Sequence, residues 1–182
     1  MKHFKIIFKI SFIIIFLISC NKNSEDIVEQ ESFIIVNGEK SKIENAFWFK
    51  NNLGGISMIF LNGSVEIKEG DVYLGNNVVK DRLGYLEINL SINNLYHGDY
   101  NFPIELKHLY GYICISSGGG SYPCNDYVNI TGVHVDKDKV TAKVQIKEGT
   151  DGDIVIDVNA DDGNNRKISG FFKGKINQLI LN

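Results

Sequence analysis

Between Val140 and Lys147 the chain alternates with a period of two. Val140, Ala142, Val144 and Ile146 are apolar, and Thr141, Lys143, Gln145 and Lys147 between them are polar. This pattern places every apolar side chain on one face of an extended strand, whereas a helix would scatter them around its axis. Leu86, Ile88, Leu90 and Ile92 alternate in the same way with Tyr85, Glu87, Asn89 and Ser91. Further strands are expected at Phe33–Val36, Ile43–Phe49, Ile56–Leu61, Tyr100–Phe102 and Leu109–Ile115. No window carries a sustained apolar stripe of helical period with capping residues. Many Gly and Asn with only two Pro fit short strands joined by tight turns.

Two hairpins are expected near the carboxy terminus. Ile130 to Val135, the polar turn Asp136 to Lys139 and the strand from Val140 make the first. Ile154, Ile156 and Val158, the turn Asp161 to Asn165 and the returning strand Ile168 to Ile176 make the second. One polar face per strand predicts antiparallel sheets buried on a single side. About nine or ten such strands must pack face to face or close on themselves to remove exposed edges. The expected fold is therefore all-β, an antiparallel β-sandwich, with a lipocalin-like β-barrel as the alternative.

The amino terminus is of another kind. Lys2, Lys5 and Lys9 form a positive region ahead of an apolar run, Ile10 to Ile18, that is too short for a membrane-spanning helix of about 20 residues. The run ends in Leu17-Ile18-Ser19-Cys20, which resembles the lipobox of bacterial lipoprotein signal peptides. The resemblance implies that residues 1–19 are a signal peptide removed ahead of Cys20. It also implies that the Cys20 thiol receives a diacylglyceryl group and the new amino terminus an acyl chain. Each buried methylene contributes about 0.8 kcal/mol, and stable anchoring takes more than one chain. The anchor would thus need no spanning helix.

Residues 21–31 are polar, with four acids, and read as a flexible tether reaching at most about 36 Å. Asn21 follows Cys20, where an Asp would mark enterobacterial retention at the inner membrane. Glu25-Asp26 resembles the export signal of Bacteroidota surface lipoproteins. A lipid-anchored protein of the outer membrane, displayed at the cell surface, is expected, with residues 32–182 as a single β-domain. Loss of residues 1–19 removes three lysines and no acids, taking the formal charge from −3 to −6. So acidic a domain is a poor partner for nucleic acid, which selects clustered Lys and Arg.

A second resemblance covers roughly residues 97–176. Ile130 to Val135, the turn Gly149 to Asp153, Asp162-Gly163, and Ser169-Gly170-Phe171-Phe172-Lys173-Gly174 are similar to the carboxy-terminal half of small Bacteroidota lipoproteins. This implies fold and location and brings no catalytic residue with it.

Cys114 and Cys124 bracket a Gly- and Ser-rich stretch. In an oxidising compartment a disulfide is expected, worth roughly 2–3 kcal/mol by loop closure, with two free thiols as the alternative. A metal site would need further Cys or His at short spacing, and none is adjacent. His134 and Asp136, two apart, could form a metal or acid–base pair, but Val133 and Val135 claim the inward face and leave both in solvent. His97 reads as part of a turn, and His108 has no acid adjacent in sequence. Ser116, Ser117 and Ser121 surround three glycines without a nucleophile elbow or a phosphate-loop ending. Asp157, Asn159 and Asp161 share a strand face, but Asp162 precedes Gly163 and Ile168 holds position twelve, so the calcium-loop pattern fails. No catalytic residue, cofactor or metal is expected.

The aromatics remain. Tyr110, Tyr112, Tyr122 and Tyr127 cluster around the cysteine stretch, with Tyr110 and Tyr112 on one strand face. The pattern leaves the facing of Trp48, between Phe47 and Phe49, open. Exposed rings stack on sugars and anchor protein partners. The leading expectation is a non-catalytic binding module for a glycan or a protein through these tyrosines. The alternative is a structural or envelope-assembly accessory in which the rings merely cover an end of the sandwich.

Overall fold

The structure is a computed structural model that describes residues 30–74, 82–115, 124, 126–131 and 138–181. Residues Glu31–Asn182 form one compact unit. The described elements are all strands, arranged as two six-stranded sheets and a two-stranded hairpin. The first sheet has the order β2 (Glu39–Lys42), β1 (Phe33–Val36), β13 (Lys167–Gly174), β12 (Ile154–Asp161), β11 (Thr141–Glu148), β8 (Gly98–Asn101). The second has the order β10 (Asp126–Thr131), β9 (Leu106–Ile115), β7 (Arg82–Leu90), β4 (Ile56–Leu61), β3 (Asn45–Lys50), β14 (Asn177–Gln178). The hairpin pairs β5 (Val65–Lys68) with β6 (Asp71–Leu74). Neither six-stranded sheet closes on itself, so the fold is a β-sandwich and not a barrel. All pairings are antiparallel except the short parallel contact of β14 with β3.

Alternation builds the core. Val144, Ile146, Ile156, Val158 and Ile168 of the first sheet face Met58, Phe60, Leu86, Ile88 and Leu109 of the second in one buried cluster. Phe60 and Phe172 meet across it with ring centroids 5.4 Å apart. Each such side chain contributes roughly 1.5–3 kcal/mol on burial. Trp48 packs on the margin of this core, which settles its facing. At one corner, Asn37 (φ 50°) and Gly38 (φ 91°) reverse the chain between β1 and β2. Positive φ at both central residues is the two-residue hairpin turn whose twist matches the strands.

Two expectations are corrected. Ile130 and Thr131 do not open a hairpin with the strand after Val140: β10 pairs with β9 in the second sheet, and β11 pairs with β12 and β8 in the first. A polar turn between two alternating strands serves equally well to pass from one layer to the other, and turn composition carries no sign of which it does. The second correction concerns the single buried side. All six residues of β4 are buried, Ile56, Met58 and Phe60 inward and Ser57, Ile59 and Leu61 outward. The second sheet is therefore covered on its outer face as well, and that cover forms the candidate site.

Candidate functional site

Strand parity places His108, Tyr110, Tyr112 and Cys114 of β9 on the outer face of the second sheet, because Leu109 and Ile113 point into the core. On β7 the outward set is Leu83, Tyr85, Glu87 and Asn89. Register then aligns these residues in rows across the sheet. Leu61, Tyr85, Tyr112 and Tyr127 make one row, and Ile59, Glu87, Tyr110 and Asn129 the next. Ser57, Asn89, His108 and Thr131 make a third. Residues directly opposite on neighbouring strands lie about 4.5–5.5 Å apart and diagonal ones about 7–8 Å, so rings of neighbouring rows can touch.

They do. Tyr85 stacks on Tyr112 with centroids 5.0 Å apart and planes 17° apart. Tyr110 meets Tyr112 at 5.4 Å, Tyr127 at 6.2 Å and Tyr85 at 6.3 Å. The β5–β6 hairpin lies over part of this surface and leaves two adjoining clefts. One, of about 260 Å³, is lined by Tyr85, Tyr110 and Tyr112 from the sheet, by Val65, Val72, Tyr73 and Leu74 from the hairpin, and by Ile59. The other, of about 430 Å³, shares Ile59, Val72, Tyr73 and Tyr85 and adds a polar wall that includes Asn51, Asn52, Asp71 and Glu87. Tyr73, with half its surface exposed at 49%, stands at the mouth of both.

A chain of hydrogen bonds underlies the polar wall. Glu87 accepts from the Tyr85 hydroxyl through Oε2 at 2.9 Å and from Asn89 Nδ2 through Oε1 at 3.1 Å. Asn89 Oδ1 accepts from the Ser57 hydroxyl, which in turn accepts from Asn51 Nδ2 at 3.2 Å. Asn89 Nδ2 also lies 3.3 Å from His108 Nδ1. Ser57 thus donates to Asn89 and not to His108. His108 Nε2, Asn129 Oδ1 and Thr131 Oγ1 are buried in the same rows without a hydrogen-bond partner.

Burial governs the tyrosine electrostatics. It raises the Tyr85 hydroxyl well above its usual pKa, and the neighbouring Glu87 charge raises it further. Tyr112 is pushed up to about 12, again chiefly by burial. Tyr110 is raised for the same reason. These phenols stay protonated and remain donors throughout the neutral range.

Of the residues singled out from sequence, Tyr110 and Tyr112 come together in the cleft. Tyr127 sits at its outer margin, 46% exposed, with the Arg166 guanidinium 5.6 Å above its ring. Cys114 and Cys124 form a disulfide, Cys114 buried on the same outer face. Tyr122, Cys20, His134 and Asp136 lie outside the described residues. Asp157 and Asp161 are engaged with Lys147 at 3.6 Å and Lys167 at 3.2 Å. Among the described residues no group of three or more His, Cys, Asp or Glu could hold a metal ion. Tyr85 and Glu87 were missed as site residues although alternation had already turned them away from the core. Tyr73 lies in a segment too short for its pattern to stand out.

A larger depression, about 770 Å³, lies on the first sheet, lined by Asn101, Lys143, Asn159, Asp161, Lys167 and Ser169 among others. Its charges are already matched, Lys143 with Asp99 at 2.7 Å and Lys167 with Asp161 at 3.2 Å, and among the described residues Phe102 is its one ring. The smaller pair of clefts has the aromatic walls and a carboxylate, Glu87, that no cation pairs with among the described residues. No protein-family model, no curated protein and no solved structure matches this chain.

Proposed function

We propose that this chain is a non-catalytic lipoprotein, anchored in the bacterial outer membrane through lipid on Cys20 and displayed at the cell surface. Its β-sandwich binds a glycan in the cleft between the second sheet and the β5–β6 hairpin. One observation carries the reading: Tyr73 and Tyr85 line two adjoining clefts, one walled further by Tyr110 and Tyr112 and the other by the Asn51 and Asn52 amides and the Glu87 carboxylate. Sugars present apolar ring faces that stack on aromatics and hydroxyls that pair with amides and carboxylates. A site with both kinds of wall serves both needs. A protein partner would more commonly meet a broad patch with aromatic anchors at its centre, and these clefts are small, about 260 and 430 Å³.

A second reading, a structural or envelope-assembly accessory, is favoured by the stacking of Tyr85 on Tyr112, which satisfies those two rings without a ligand. Screening the full chain in detergent on a glycan array separates the readings. Retention of defined glycans supports the proposal. A partner retained from envelope extract without any glycan binding favours protein recognition, and no ligand in either screen favours the accessory.

A further inference from the structure

We infer that the sugar recognised in this cleft carries a protonated amine, held by the Glu87 carboxylate against the faces of the neighbouring tyrosines. This rests on the glycan reading and adds a chemical class to it.

The argument begins with charge. Among the described residues neither cleft is lined by a Lys or Arg, whereas Glu87 and Asp71 both line the larger one. On the first sheet Asp99 faces Lys143, Asp157 faces Lys147 and Asp162 faces Arg166. Among the described residues no cation pairs with Glu87. Instead two neutral donors, the Tyr85 hydroxyl and the Asn89 amide, each hold one of its oxygens. An ionised carboxylate has about four acceptor positions. Two are filled by groups that fix its orientation, and the rest remain for a ligand. Held in place by these two neutral donors, the half-buried carboxylate lines the cleft where a cationic group would complement it.

The aromatic walls strengthen the same preference. The face of a tyrosine ring carries negative electrostatic potential and attracts an ammonium group within about 6 Å of its centroid, more so where water is excluded. Tyr85 lines both clefts and also donates to Glu87, so ring face and carboxylate converge from one strand. Its hydroxyl, kept protonated by burial, cannot compete as an anion. A neutral sugar would use the rings but leave the carboxylate uncompensated. An N-acetylated sugar would in addition bring an acetyl group in place of the cation. An anionic sugar would be repelled.

The test uses the full chain in detergent and calorimetric titration with three β-1,4-linked trisaccharides: fully de-N-acetylated chitotriose, its N-acetylated form, and cellotriose. The amino trisaccharide should bind at least about tenfold more tightly than the other two, the size expected of one charge-assisted contact. Glu87→Gln should erase that preference, while Asp157→Asn, on the other sheet, should leave it intact. Equal affinity for the three sugars in the unaltered protein overturns the inference and leaves the glycan reading standing. Binding of none of them, with no other glycan retained on the array, overturns both. The comparison among sugars needs no variant, so it stands even if Glu87→Gln folds poorly.

Discussion

Tyr85 and Glu87 stand two residues apart on one strand, and their pairing couples the chemistry of the cleft to the stability of the sheet. Burial of Tyr85 and Tyr112 favours the neutral phenol in the folded state, so both pKa values lie above the value of about 10 expected unfolded. Between pH 10 and 12 the unfolded chain therefore binds fewer protons than the folded one, and stability falls as pH rises. The contribution is fully present below about pH 10 and for Tyr112 is lost as pH passes through about 12, at about 1.4 kcal/mol per pH unit per group. Urea unfolding at successive alkaline pH values should show this decline, and Tyr112→Phe should lessen its slope and leave the part that Tyr85 contributes. A stability that stays level up to pH 12 would contradict the burial of these hydroxyls. The tyrosine face was half legible in the sequence. A spacing of two put Tyr110 and Tyr112 on one side, and alternation put Tyr85 and Glu87 outside the core. That these four meet depends on the registers of β7 with β9, which are set by long-range packing and leave no local mark.

At the scale of elements, β1 and β4 occupy the spans expected from alternation, Phe33–Val36 and Ile56–Leu61. The β12–β13 hairpin likewise follows its predicted turn. The elements that escaped notice are those whose burial comes from outside their own sheet. β5 and β6 are four residues each and mostly exposed, and β2 is a short polar strand marked only by the Asn37-Gly38 turn before it. The six buried residues of β4 read as one apolar run, and a run without alternation says that both faces are covered but not by what. The Cys114–Cys124 disulfide fixes the end of β9, the strand that supplies the tyrosines. Replacing both cysteines with Ala should lower unfolding free energy by roughly 2–3 kcal/mol, the loop-closure value for a bridge spanning 10 positions. Denaturant midpoints of the oxidised protein and the double variant check this. Equal midpoints would mean that the bridge constrains nothing the unfolded chain explores.

For the whole molecule, the two sheets differ in what their outer faces do. The first turns paired charges outward, Lys143 with Asp99 and Lys147 with Asp157. The second turns tyrosines outward under a hairpin. An anchored domain with one such face would present a ligand site at the end of its tether. The anchor itself is tested by Cys20→Ser, which should leave an unprocessed precursor and abolish incorporation of a clickable fatty acid, whereas unchanged labelling would refute the assignment. The central claim is the location of the ligand, and the measurement that reaches it most directly is nuclear magnetic resonance titration of the isotope-labelled protein with a glycan retained on the array. Shifts should concentrate on Tyr73, Tyr85, Glu87, Tyr110 and Tyr112, and Tyr73→Ala should weaken binding about tenfold or more without moving the unfolding midpoint. Shifts confined to Asn101, Lys143, Asn159 and Ser169 on the first sheet would place the site in the other depression and contradict the account.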